Sequence, residues 1–237
     1  MTSTRATAVI VGVLFLAATT SFFIAEQLIT GVLNRPDYLI GASEDATALT
    51  AAALLAFFDG LAVVGIAVLM FPLFKRHGES LALAVVGLRV ADLAAILLFL
   101  ATPLLLLAVG DGLLAGAVDA SASEPLAVVF QAQHDLAFWM IYLFNGVAGG
   151  FFAFLLHRSA LVPRWIAILG LIGYPMLLAG TILDMFSVID ITQGAGLLAV
   201  VPGGLFELIL PIWLIARGFS HPEATERRAL VSAPEPV

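Results

Sequence analysis

A chain of 237 residues that is 62% hydrophobic and only 11% charged, with a mean hydropathy of +1.10, exceeds the apolar share of a soluble domain and reads as a polytopic membrane protein. Seventeen acidic against ten basic residues give a formal net charge of −7 with no basic block or stripe, which argues against nucleic acid as a partner. The absence of cysteine excludes disulfides, thiolate metal sites and cysteine nucleophiles.

The first apolar run follows "MTSTR" and imitates a secretory signal, with "LAATTS" as a cleavage region. It extends from Thr7 to Leu33, however, which is the length of a bilayer span rather than of a signal core. Five further runs are long enough to cross: Leu49 to Phe74, Leu81 to Val109, Leu126 to Leu156, Trp165 to Ile189 and Gly196 to Ala216. The expected fold is therefore all-α, a bundle of six transmembrane helices over residues 1–218, with 219–237 as a disordered cytoplasmic tail rich in Pro, Glu and Ala. Arg5, Lys75, Arg76, Arg158, Arg164, Arg217, Arg227 and Arg228 fall on one side of these spans and only Arg35 in a loop on the other, which places both termini in the cytoplasm.

Seven charged residues lie inside the spans, and six are acids: Glu26, Asp59, Asp92, Asp135, Asp184 and Glu207, with Arg89 the single base. An arginine near the bilayer centre costs about 2.5–3.5 kcal/mol on insertion scales, so it requires a partner. Asp92, three residues on and on the same helical face, is the nearest candidate. By position along the spans, Asp59, Arg89, Asp92 and Glu207 fall near mid-membrane, whereas Glu26, His134, Asp135 and Asp184 fall toward the outer ends, a funnel of polar groups facing outward.

Two helical stripes support a shared interior: Gln131, His134 and Asn145 on the fourth span, and Thr19, Glu26 and Thr30 on the first. In the sixth span, Pro211 cannot donate to the carbonyl of Glu207, and Pro202, Gly203 and Gly204 loosen the preceding turn, so a broken helix is expected at Glu207. Trp139, Trp165, Trp213, Tyr142 and Tyr174 read as an interfacial belt or core packing, and "NGVAGG" as a close helix contact.

The segments "TRATAVIVGVLFLAAT", "GIAVLMFPLFKRHGESLALAVVGLRVAD", "LLHRSALVPRWIAILGLIGY" and "WLIARGF" together resemble the bacterial domain of unknown function 4386 family, from about Arg5 to Phe219. That resemblance implies a bacterial multi-pass protein of the plasma membrane and carries no established activity. Three functions stay open. The first is binding or transport of a small polar or cationic ligand at Asp59, Arg89, Asp92, His134, Asn145 and Glu207. The second is an intramembrane hydrolase with a metal on Glu26, His134, Asp135 and Asp184. The third is a membrane subunit without chemistry of its own. The lipid bilayer is the expected surrounding, a homo-oligomer is compatible with the small size, and no particular cofactor is indicated.

Overall fold

The computed structural model describes residues 2–35 and 38–220, and the described chain is helical, with no strand among those residues. Its elements are α1 (Thr2–Leu33), the single turn α2 (Tyr38–Gly41), α3 (Ala46–Leu114), a 3₁₀ turn at Ala120–Ala122, α4 (Ser123–Ser159), α5 (Arg164–Met185), a second 3₁₀ turn at Gly194–Gly196, and α6 (Leu197–Arg217). Five of these helices are long and apolar enough to cross a membrane, the architecture of a multi-pass membrane protein.

The second and third apolar runs both belong to α3, whose 69 residues would measure about 100 Å if straight. The backbone leaves helical geometry at Gly78, where φ is 161° and ψ 89°, dividing α3 into limbs 46–77 and 79–114. The limbs lie side by side: a Cβ built on Gly60 would come within 2.6 Å of Leu93 and 3.3 Å of Ile96. The basic stretch "KRHGES" is thus a one-residue break between helices rather than a loop.

The long helices close into a ring, in the neighbour order α1, α3, α4, α5, α6 and back to α1. Backbones touch where glycine removes the side chain. A Cβ on Gly173 of α5 would lie 2.4 Å from the backbone nitrogen of Gly203 on α6, and one on Gly149 of α4 would lie 2.3 Å from the ring of Tyr174. α6 is helical throughout, across both Pro202 and Pro211, so the break expected at Glu207 is not present. Close packing against α5 at Gly203 gives that glycine a role other than loosening the chain.

Side chains are distributed inside-out for a water-soluble protein. Phe23, Leu54, Phe57, Leu61, Leu83 and Ile212 face outward, whereas Asp59, Arg89, Asp92 and His134 are buried. Two apolar clusters fill the ring. One, around Phe15, Phe74, Phe152, Tyr174 and Phe206, occupies the end that carries the termini. The other, around Ile29, Leu49, Phe99 and Phe130, occupies the opposite end. Asp59, Arg89, Asp92 and Glu207 sit where the two clusters meet.

The ends of the bundle differ in charge. Arg5, Lys75, Arg76, Arg158, Arg164 and Arg217 gather at the end with the termini, and Arg35, paired with Asp45 at 2.5 Å, stands alone at the other among the described bases. Arg5 donates to the last carbonyls of α6, Leu214 at 3.2 Å and Ile215 at 2.8 Å, closing a helix C-terminus with a cation. The acid-rich end is stitched by side chains. Tyr38 of α2 donates to the Ala127 carbonyl at 2.6 Å, and Ser43 donates to Asp111 at 2.7 Å. At the other boundary, Phe219 is buried and the Ser220 amide donates to the Leu161 carbonyl at 2.8 Å, so these two residues belong to the folded body rather than to the expected tail. Residues 221–237, including Arg227 and Arg228, lie outside the described residues.

Candidate functional site

A cavity of about 240 Å³ occupies the centre of the ring and is lined by all five long helices. Thr19 comes from α1, Asp59, Arg89 and Asp92 from the two limbs of α3, Asn145 from α4, Leu177 from α5 and Glu207 from α6. The remaining walls are chiefly apolar and aromatic, with Phe15, Phe22, Phe23, Tyr142 and Phe152 among them. Phe23 is the one lining residue that is exposed, at 64%. Its level on α1 corresponds to Val200 and Gly204 on α6, because Thr19 of the antiparallel α1 meets Glu207 one to two turns away. The cavity therefore reaches the outside of the bundle beside Phe23 of α1. The same two helices are in tight contact further along, where a Cβ on Gly12 would lie 2.8 Å from both Ile215 and the Pro211 carbonyl.

Arg89 and Asp92 form a buried ion pair at 2.7 Å, the one that their i,i+3 spacing predicts. Helical geometry places both side chains on the inner face of the second limb, and burial of both makes the pair intolerant of losing either member. The second carboxylate oxygen of Asp92 accepts no hydrogen bond from any described residue. Glu207 is held differently. Thr19 donates to one of its oxygens at 3.3 Å, and Asn145 at 3.3 Å and Tyr174 at 3.2 Å donate to the other, so three helices fix this carboxylate. Asp59 is 5% exposed, lines the cavity, and accepts no hydrogen bond from any described residue.

Glu26 and His134 meet at 3.5 Å outside this cavity, at the level of the second apolar cluster. The distance is that of an ion pair rather than a hydrogen bond, and both the facing oxygen of Glu26 and Nδ1 of His134 are buried without a hydrogen-bond partner among the described residues. An aromatic layer separates this pair from the central site. Phe22 lies 5.4 Å from Phe99 and 6.4 Å from Tyr142 between ring centroids, Phe138 lies 4.3 Å from Tyr142, and Phe99 lies 5.3 Å from the His134 ring. The expected continuous funnel is in fact two polar levels with rings between them.

The structure distributes the remaining sequence-derived candidates accordingly. His134 is separated from Asn145, with which it shares a stripe, because the aromatic layer falls between their levels. Gln131 leaves that stripe altogether, being exposed and donating to Asp135 at 2.9 Å. Asp135 and Asp184 border a shallow depression at the acid-rich end, apart from Glu26. Asp184 accepts from the Trp139 indole at 2.7 Å and from the Ile191 amide at 3.2 Å, pinning the turn after α5 onto α4. No three His, Cys, Asp or Glu side chains converge on a metal-sized site among the described residues, so Glu26, His134, Asp135 and Asp184 do not assemble into one ligand set. Tyr174, read from sequence as packing, proves to be both buried core and a donor to Glu207, a role invisible until the α5–α6 register is known.

An apolar exterior around a ring of long helices, with Asp59, Arg89, Asp92 and Glu207 gathered at a central chamber, defines a multi-pass membrane protein built around an internal polar site. Residues 10–218 match the DUF4386 domain of unknown function, and the chain belongs to that family. No curated protein and no solved structure matches the chain.

Proposed function

We propose that this protein binds a small polar or cationic ligand in the central cavity and carries it across a bacterial plasma membrane. The observation that supports this most is the chamber itself: every long helix contributes to it, and three carboxylates and one arginine line it. A register-fixing ion pair needs no chamber, whereas a binding site does. In this reading the two limbs of α3 are separate crossings, giving six in all, and the basic end with both termini faces the cytoplasm. The Arg89–Asp92 pair fixes the chamber wall while Asp59 and Glu207 face the ligand.

The natural absence of cysteine makes the test clean. Asn145→Cys in the full chain, in right-side-out and inside-out membrane vesicles, is expected to react with a small membrane-impermeant thiol reagent from each side. Leu205→Cys, facing outward on α6, provides the unreactive lipid-side control. Reaction from one side alone removes transport from the proposal and leaves binding; no reaction from either side removes the chamber as a ligand site.

A further inference from the structure

We infer that the ligand of the central cavity is a small amphiphilic organic monocation, an amine-derived ammonium held by Asp59 with its apolar body against the aromatic wall. The inference rests on the reading of the cavity as a ligand site and adds the chemical class. Formal charge leads to it first. Asp92 is discharged by Arg89 at 2.7 Å, and Glu207 is surrounded by three donors from Thr19, Asn145 and Tyr174. Asp59 has neither: it is 5% exposed, lines the cavity, and receives no hydrogen bond from a described residue. A buried charge without a partner is expensive, so a carboxylate in this position calls for a cation or a proton. Arg89 is near enough to attract it, but its hydrogen bond and its close ion pair go to Asp92.

The walls then select among cations. A hard metal ion takes six or more oxygen ligands and a softer one dedicated His and Cys donors, and no three His, Cys, Asp or Glu side chains converge among the described residues. Phe15, Phe22, Phe23, Tyr142 and Phe152 instead offer ring faces and apolar area, the surroundings that favour an organic cation through cation–π attraction and burial. Size follows from volume. A cavity of 150 Å³ encloses benzene, so about 240 Å³ admits roughly ten non-hydrogen atoms, fewer than a drug-sized molecule. Access agrees with amphiphilic character, since the cavity meets the outside beside the exposed side chain of Phe23, where a lipid-facing surface would be.

The test uses three probes of one shape and different charge, benzylammonium, benzyl alcohol and benzoate, titrated calorimetrically into the detergent-purified full chain. Benzylammonium is expected to bind at least tenfold more tightly than either of the others. Asp59→Asn should weaken it tenfold or more and Asp59→Glu should restore most of that loss, which separates charge from folding. Equal binding of benzyl alcohol, undiminished binding to Asp59→Asn, or no binding of benzylammonium overturns the inference. The reading beneath it fails separately. If benzyl alcohol or benzoate binds and Ala18→Trp, which fills the cavity, abolishes that binding, the chamber is a ligand site and the assigned class is wrong. If no probe binds and Asn145→Cys is unreactive from both sides, the chamber is not a ligand site at all.

Discussion

At the scale of single residues, the fold tolerates charge in its interior by giving each group a different resolution. Arg89 and Asp92 neutralise one another at 2.7 Å, and breaking such a buried pair costs about 3–5 kcal/mol because the survivor is left uncompensated. Arg89→Ala should therefore lower the thermal stability of the detergent-solubilised protein sharply, and adding Asp92→Asn should recover part of the loss. A double mutant no more stable than the sum of the singles would show that Asp92 is not the energetic partner. Glu207 relies on donors, and Tyr174→Phe removes one of three; a hydrogen bond to a charged group is worth about 1.5–3 kcal/mol, which is the expected loss. Glu26 and His134, sealed from the cavity by Phe22, Phe99, Phe138 and Tyr142, should behave differently again. Glu26→Gln is expected to change stability while leaving reactivity of Asn145→Cys in the chamber unaltered; a changed labelling rate would mean that the two levels communicate. Arg89 with Asp92 was readable from a three-residue spacing, because helical geometry alone sets it. The unpartnered state of Asp59 was not, since it depends on which faces four other helices present.

At the scale of elements, a helix contact made by two glycines holds the site in register. Gly173 meets Gly203 backbone to backbone, and one residue after Gly173 and one turn after Gly203 stand Tyr174 and Glu207. Gly173→Ala forces the two helices apart, an overpacking that costs about 1–3 kcal/mol, and should break the Tyr174–Glu207 hydrogen bond as well. Gly87→Ala, where a Cβ meets nothing within 4 Å, should cost no stability. Equal thermal shifts for the two would mean that helix propensity, and not contact, controls α5 against α6. The turns at the acid-rich end carry a pH dependence of their own. Hydrogen bonds from the Thr192 side chain, the Gln193 side chain and the Thr192 amide hold Asp190 below the ordinary carboxylate value, and Ser121 does the same for Asp119. A depressed folded value stabilises the turn above the unfolded value near 3.8 and is lost as pH falls through the folded one. Carboxyl NMR titration should place both groups below that value, and Thr192→Val should raise Asp190 toward it. From sequence, Pro202 and Pro211 suggested a broken α6. The helix continues through both, since each proline removes one donor while packing against α1 and α5 keeps the rest of the turn in place.

At the scale of the whole molecule, the apolar runs, the polar interior residues and the imbalance of basic loops were all readable in sequence, because each depends on composition over one bilayer thickness. The ring order and the lateral opening beside Phe23 were not, because they depend on which helix faces meet, and the apolar patterning is nearly uniform around each helix. Orientation is where the two kinds of information combine. The fold brings Arg5, Lys75, Arg76, Arg158, Arg164 and Arg217 to one end of the bundle and leaves Arg35, already neutralised by Asp45, at the other. Short loops flanking membrane helices retain Lys and Arg on the cytoplasmic side, so the end with the termini should be cytoplasmic. A reporter fused after Arg228 should then be active only in its cytoplasmic form, and one inserted at Ala117, between α3 and α4, only in its external form. The opposite pattern would invert the bundle and turn the Glu26–His134 level toward the cytoplasm. External activity at both positions would mean that α4, α5 and α6 do not make three crossings between them. Because Gly78 is the only residue interrupting α3, the decisive insertion is at that break: a reporter there should match the one after Arg228 and oppose the one at Ala117, which requires the limb 79–114 that carries Arg89 and Asp92 to traverse the bilayer by itself.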